Sequence, residues 1–323
     1  MQVDNSQLNT LGVDIGGTKI ETALVDSSGV ILSSHYRLIN PAKDPSSTIQ
    51  DILGSVQICY RESWKSAVAM GVGVAGQIDK INGVVCCSPN LPDWKNVALG
   101  AGLQSSLGIP VTINNDVRMI TLGEWQHGAG MGVDDLVCLF VGTGVGGGVI
   151  SGGRLFEGHT NTAGELGHTT ILAGGRQCHC PNQGCLEAYC GGWAIAERAR
   201  DAARDNLEAG KTLIELAGKI ENITAITVSQ AYANFDPLAQ RLVKDTALYL
   251  AAGMVSIVNA FNPHLIILGC SVIQGIPDLV SMAEKRIRLL ALPTPVKDLR
   301  ITVAALGNKA GVIGAAALAR SLI

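Results

Sequence analysis

The chain has 323 residues, 47% of them hydrophobic and 16% charged, with a formal net charge of −3. That balance supplies a sizeable core and excludes a disordered chain, while the slight negative charge excludes the basic field that nucleic acid or anionic lipid demands. The opening MQVDNSQLNT has neither the basic stretch nor the apolar run of a secretory signal. A cytoplasmic protein is expected, with its nine cysteines reduced or bound to metal.

In chain order, LGVDIGGTKIETALVDSSGVILSS reads as strand, glycine turn, strand, turn, strand, with Ile20, Thr22 and Leu24 on one face. AVAMGVGVAG is a continuous apolar run, the pattern of a strand covered on both sides. PVTINNDVRMITLGEW puts a strand, Val111 to Ile113, ahead of Asn114-Asn115-Asp116, where a helix begins that runs through Glu124. DLVCLFVGTGVGGGVISGGRLFEG then repeats the opening scheme, with GTGVGGG as glycine turn and SGGR as second turn. Each half therefore opens on the same unit, which predicts two similar lobes. The charged stretch from Arg198 to Leu216 reads as a solvated face or a helical excursion. Val243, Ala247, Leu250, Met254, Ile257 and Phe261 recur at three and four residues, predicting one long helix over about 236–261 that Asn262-Pro263 ends. Its uncharged part, Thr246 to Asn262, reads as a buried core helix rather than a membrane span. HLIILGC is a further buried strand, and about 310–322 a small apolar helix that packs back on a lobe. Six cysteines, Cys59, Cys86, Cys87, Cys138, Cys190 and Cys270, stand mostly among apolar neighbours and read as core filler.

Gly142, Gly144 and Gly147 match the dinucleotide spacing G-x-G-x-x-G, but a strand and a turn follow where that motif needs a helix. The glycines must serve a hairpin. Glycine lets backbone N–H groups approach an anion, and Thr18 and Thr143 add hydroxyls. Two such turns in matched positions point to phosphate; the alternative is glycine for turn geometry alone. Asp14, just before the first turn, is placed to hold Mg²⁺ through water. Asp116 stands where strand gives way to helix and can take a proton from a sugar hydroxyl as that oxygen attacks a γ-phosphoryl group. The alternative is that Asn115 or Asp116 only caps the helix.

His168, Cys178, Cys180 and Cys185 make a closed donor set for structural Zn²⁺, against the alternative of reduced surface thiols or a stray disulfide. The ion would pin the loop so that Glu165, His168 and Glu187 face one sugar. Metal removal is then expected to weaken sugar affinity before it touches the phosphate turns. Glu165 and Glu187 read otherwise as ordinary exposed carboxylates.

DIGGTK, GVGVAGQID, SPNLPDW, NNDVRMITLGEW, GTGVGGGVI, GELGH and CHCPNQGCLEAY, in this order and spacing, make the chain resemble the ROK family of sugar kinases over nearly its whole length. The resemblance implies an α/β, two-lobed, actin-like ATPase fold of hexokinase type, related to ribonuclease H, with a zinc-bound loop. It implies a small lobe of residues 1–115 with about 306–323, and a large lobe of 116–305. By the same resemblance Asp116 is the catalytic base, and Asn115, Glu165, His168 and Glu187 hold the sugar with Gly76 and Asn90 nearby. Gly16, Gly17, Thr18, Lys19, Gly142, Thr143 and Gly144 clamp the phosphates of ATP, Gly269 lies near the nucleoside, and the histidine and three cysteines bind zinc. The implied activity is ATP- and Mg²⁺-dependent phosphorylation of a hexose at its 6-hydroxyl by a homodimer, glucose first, then mannose, N-acetylmannosamine or N-acetylglucosamine. The family also holds sugar-responsive repressors, but no basic recognition helix precedes the first strand near Leu11. The chain departs from the family's usual pattern at Pro181, at Cys190 to Gly192 and at Gly269 to Ser271. The last two departures bear on sugar selectivity and nucleotide affinity.

Overall fold

The computed structural model describes residues 8–39, 44–63 and 65–323, so residues 1–7 of the opening stretch lie outside it. The chain divides into two compact units. The first comprises Met1–Val133, Arg154–Gly164 and Ala305–Ile323, and the second Asp134–Gly153 and Glu165–Ala304.

The first unit opens with the expected meander: β1 (Thr10–Ile15), β2 (Lys19–Val25) and β3 (Ile31–Leu38). After α1 (Pro45–Ser63) come β4 (Ala69–Val74) and three short strands, β5 (Gln77–Asp79), β6 (Val84–Cys87) and β7 (Lys95–Val97). α2 (Leu99–Leu107), β8 (Val111–Asn115) and α3 (Asp116–His127) follow. The main sheet runs β3-β2-β1-β4-β8; β1 lies antiparallel to β2 and parallel to β4, which is parallel to β8. β4 is apolar because both its faces are covered, every residue of it being buried. β5, β6 and β7 form a separate small sheet, which hydrophobic alternation does not foretell because the strands are only three or four residues long.

In the second unit β9 (Leu136–Val141) and β10 (Val145–Ser151) make the hairpin around the second glycine turn. Gly152 and Gly153 turn the chain at positive φ into the short β11 (Arg154–Leu155), which already counts with the first unit. The remaining elements are α4 (Glu187–Cys190), α5 (Gly192–Asp205), α6 (Lys211–Ala217), α7 (Ala225–Ala233), α8 (Pro237–Phe261), β12 (Leu265–Gly269), α9 (Ser271–Gly275), α10 (Asp278–Leu290), α11 (Pro293–Lys297) and β13 (Arg300–Val303). The second unit's strands lie in the order β10-β9-β12-β13, a hairpin followed by two parallel strands. β2-β1-β4-β8 has the same arrangement, so the echo heard in the sequence is a repeat of topology.

α8 has the ends its sequence announced. The Asp236 carboxylate accepts the Ala239 N–H at 2.8 Å, Pro237 occupies the first turn, and Asn262 closes the helix at φ 46. Among the described residues it is the one helix long and apolar enough to cross a membrane. Its apolar face, Leu242, Val243, Leu250, Met254 and Ile257 included, is buried in the core of the unit. The charged stretch is helical, as α5 and α6, but it is not all a solvated face. Arg198 turns inward, donating to Tyr189 O at 2.7 Å and Leu242 O at 3.1 Å, with its guanidinium over the Tyr249 ring. Burial pushes its pKa down. Of the six cysteines read as core filler, Cys59, Cys138 and Cys190 are buried, whereas Cys86 and Cys270 are partly exposed and Cys87 is exposed.

The closing helix, α12 (Ala310–Ala319), is buried at all ten positions. A helix apolar all round must be covered all round, and α3, β1 and β4 cover it. The approach is backbone on backbone. A Cβ at Gly12 would overlap Val312 O, one at Gly71 would overlap Ala315 O, and one at Gly314 would overlap Met119 O. This packing also moves the boundary read from sequence after residue 115. Because α3 lies against α12, it stays in the first unit, and the chain leaves that unit after Val133.

Gly12→Ala and Gly71→Ala are each expected to cost about 3 kcal/mol in urea unfolding, because rigid backbone has to move. Gly54→Ala, inside α1 with only the flexible tip of Arg37 near its new methyl, is expected to gain about 0.5 kcal/mol from helix propensity.

Candidate functional site

In the first unit, the turn between β1 and β2 is closed by the Gly16 N–H on Lys19 O at 2.9 Å. Neither Gly16 nor Gly17 takes a left-handed φ, so turn geometry does not require glycine here. Room does at Gly17, where a Cβ would press on the Asn90 side chain at 3.3 Å. Thr18 and Asn90 are exposed, and Lys19 is partly buried.

Asp14 is the one partly exposed residue of β1, with its carboxylate under the first turn of α12; a Cβ at Gly311 would come to 2.7 Å from Oδ2. Burial pushes its pKa up to about 7, the charge of Asp116 adds to the rise, Lys19 opposes it and Glu21 adds slightly. Glu21 is itself buried and ion-paired with Lys309, just ahead of α12.

Asp116 stands in the first turn of α3, and Asn115 is the cap. Asn115 Oδ1 accepts the N–H groups of Val117 (3.0 Å) and Arg118 (3.3 Å), while its Nδ2 donates to Gly76 O at 3.3 Å. Gly76 has φ +136, and a Cβ there would overlap Cys87 O. Asn115 is therefore the cap of α3, and Asp116 is its first residue. The structure thus joins Asn115 to Gly76, Gly17 to Asn90, and Asp14 electrostatically to Asp116. Sequence reasoning missed two buried residues here. Arg118 donates to Ala163 O (2.7 Å), to Asn161 O and to Asn114 Oδ1 (3.3 Å). The Glu124 carboxylate accepts the N–H groups of Ala129 (3.0 Å), Ala305 (3.0 Å) and Leu306 (2.8 Å). An acid within the apolar run MITLGEW was the signal for the latter.

In the second unit, Gly142, Thr143 and Gly144 join β9 to β10, with Thr143 exposed. No left-handed φ occurs at Gly142 or Gly144 either. A Cβ at Gly144 would overlap Glu187 Oε2, and one at Gly142 would meet the Cys270 side chain at 3.4 Å. The turn is tied from outside. Its carbonyls at Gly142 and Thr143 accept the Gly192 (2.8 Å) and Trp193 (3.1 Å) N–H groups, and the Val145 N–H donates to Glu187 Oε2 at 2.8 Å. Gly269 ends β12 opposite Phe140. Cys270 follows at φ 72 and ψ −179, a conformation that is essentially glycine's alone.

His168, Cys178, Cys180 and Cys185 bring their ligand atoms within 4.8 Å of one another. Cys178 Sγ lies 3.7 Å from His168 Nδ1, and Cys180 Sγ 3.6 Å from Cys185 Sγ. The sulfurs are free thiols, since a disulfide needs about 2.0 Å. Turns build the loop: Cys178 N–H donates to Asn182 O at 3.1 Å, Gly184 N–H to Arg176 O at 2.8 Å, and Gly184 takes φ +79. Burial pushes the Cys178 thiol up to about 12 and raises Cys185 as well. Against burial, the Asn182 backbone and the neighbouring thiols shift Cys180 down instead; metal binding would displace the protons of all three. One imidazole and three thiols at this spacing fit tetrahedral zinc.

The three residues expected around one sugar differ in setting. Glu165 is exposed, at the start of the short helical turn Leu166–His168. His168 turns Nδ1 to the cluster. Glu187 is partly buried, and besides Val145 its carboxylate meets Trp193 Nε1 at 3.4 Å and Cys178 Sγ at 3.9 Å. Trp193, unnoticed in the sequence, also stacks on His179, with centroids 3.9 Å apart at 21°.

The model of the ROK family matches residues 10–321. The chain is 34% identical over 315 residues to a glucokinase of Streptomyces coelicolor, covering 96% of this chain and 97% of that one. It is 28% identical to a xylose repressor of Caldicellulosiruptor bescii, covering 98% of this chain and 79% of the repressor. Its fold matches the crystal structure of a ROK family glucokinase from Streptomyces griseus in complex with glucose and AMPPNP, with TM-score 0.81, 33% identity, and 97% and 99% of the two chains covered.

The raised pKa of Asp14 makes the folded state hold a proton that the unfolded chain has released above about pH 4. Stability from this group is therefore present below about pH 4 and is lost as pH rises through 7. Asp14→Asn is expected to be more stable than the parent by about 2 kcal/mol at pH 8 and nearly equal to it at pH 4, read by urea unfolding at both.

Proposed function

The chain belongs to the ROK family and has the actin-like ATPase fold, and on that premise we propose that it is an ATP-dependent sugar kinase phosphorylating a hexose at its 6-hydroxyl. The observation that carries the reading is the carboxylate pair of the first unit. Asp14 sits at the mouth of the glycine turn and Asp116 at the start of α3, close enough that one charge shifts the other's pKa. One carboxylate serves the phosphates and the other the hydroxyl.

Asp116 takes the proton of the sugar 6-hydroxyl as that oxygen attacks the γ-phosphorus. The bond from phosphorus to the β,γ-bridging oxygen breaks, and ADP leaves with the electron pair. Asn115, capping α3 and held by Gly76 O, fixes the direction in which Asp116 points. Gly16, Gly17 and Thr18, and Gly142, Thr143 and Gly144, offer N–H and hydroxyl donors to the phosphates, with Lys19 adding positive charge. Gly269 lies toward the nucleoside. Glu165, His168 and Glu187 hold sugar hydroxyls, with Asn90 beside the first turn. Asp14 would hold Mg²⁺ through water; when bound, that ion neutralises charge on the phosphate oxygens. His168, Cys178, Cys180 and Cys185 would hold zinc, which supplies a rigid anchor for the loop and takes no part in the chemistry.

Glucose is the first substrate, supported by the glucokinase relatives and the glucose complex of the Streptomyces griseus protein. Mannose, N-acetylmannosamine and N-acetylglucosamine follow. A second reading, a sugar-responsive regulator, draws on the likeness to the xylose repressor; sugar-dependent retardation of DNA fragments without ADP release would favour it.

Asp116→Asn is expected to lower kcat by about 10³ while leaving glucose affinity within about threefold, measured by coupled ADP release and by calorimetry. A near-normal kcat would refute the base assignment. In a hexose panel with ATP and Mg²⁺, glucose is expected to give the highest kcat/KM.

A further inference from the structure

We infer that the stack of His179 on Trp193 is a positioning device, one that ties the Cys/His cluster to the Gly142–Val145 turn and so makes nucleotide affinity depend on the state of the cluster. The second half of this inference rests on the proposed role of that turn as a phosphate cradle.

His179 stands between two members of the cluster, Cys178 and Cys180, and is not one itself. Its ring lies flat on the Trp193 indole at 3.9 Å. Trp193 reaches the turn twice. Its backbone N–H donates to Thr143 O at 3.1 Å, and its Nε1 donates to Glu187 Oε1 at 3.4 Å, while Glu187 Oε2 accepts the Val145 N–H at 2.8 Å. The turn is therefore held by the segment from Glu187 to Trp193, and the outer wall of that segment is the metal loop.

A cation on the cluster fixes Cys178 and Cys180, and with them the only residue between. His179 must then present its ring at one place. Trp193 Nε1, held under that ring, then keeps its place as donor to Glu187 Oε1. With the cluster open, His179 is free to leave the indole. Trp193 loses its packing partner, and Glu187 loses the brace that orients it toward Val145. Because Glu187 reaches the turn directly, the turn is expected to respond to the cluster along with the sugar contacts rather than only after them.

The test uses the full chain with its metal content measured. Binding of AMPPNP and of glucose is followed by calorimetry, and hydrogen exchange of residues 141–145 is followed by mass spectrometry. In the parent, chelation is expected to weaken AMPPNP binding about tenfold and to speed exchange in 141–145. Loaded His179→Ala is expected to show most of that loss, with chelation adding less than about twofold. Loaded His179→Phe keeps a flat ring on the indole and is expected to match the parent, a rescue that a general loss of stability would not give. Two outcomes overturn the inference: unchanged exchange and AMPPNP affinity in chelated parent, or a chelation penalty as large in His179→Ala as in the parent. If chelation unfolds the chain, the two loaded variants decide between them, since a difference supports the tie and equality overturns it. Faster exchange on chelation in a loaded parent that never bound AMPPNP would uphold the tie and sink the phosphate reading instead.

Discussion

Backbone lying on backbone is the constraint from which the first unit is built. α12 is apolar on every side and reaches β1, β4 and α3 at glycines, with no side chain between. Hydrophobic burial drives the contact, and the absence of Cβ atoms sets its distance. Because α12 is so close, its first turn covers the Asp14 carboxylate. A helix N-terminus ordinarily favours a negative charge. Here desolvation and the neighbouring Asp116 outweigh it, and the carboxyl holds its proton nearly to neutrality. Packing at the far end of the chain therefore sets the charge state of Asp14, the residue proposed to hold Mg²⁺.

The two glycine turns share a topology and differ in support. The first rests against one exposed side chain, Asn90. The second is gripped by two backbone N–H groups and a carboxylate. In both, glycine answers to space rather than to dihedral angle, which weakens the reading of mere hairpin geometry. Glu187 consequently carries a structural load along with its proposed sugar contact. A substitution there removes a tether of the turn as well as a hydrogen bond to substrate, and its kinetic effect would combine the two.

Much of this was legible because it is local. The ends of α8 are written in Asp236-Pro237 and Asn262-Pro263, and the four-residue cluster in spacing within one loop. The repeated meander shows as two glycine turns flanked by alternation. What stayed hidden depends on residues distant in sequence. Glu124 bonds to N–H groups at 305 and 306, and its partners are set by how α12 returns to α3. Arg198 looks like one more charge on a solvated helix until α8 supplies the carbonyl at Leu242 that draws it in. The stack of His179 on Trp193 joins a turn to a helix start through packing alone. β5, β6 and β7 are too short to carry a period, so pairing with one another defines them.

Cys270 carries a side chain where the backbone is shaped for none. Its φ of 72 with ψ near 180 stores about 1–3 kcal/mol, held in place by the pairing of β12 with β9 and β13. The thiol is thus kept at a backbone cost that glycine would not carry, so the corner trades local relaxation for a side chain beside the second glycine turn.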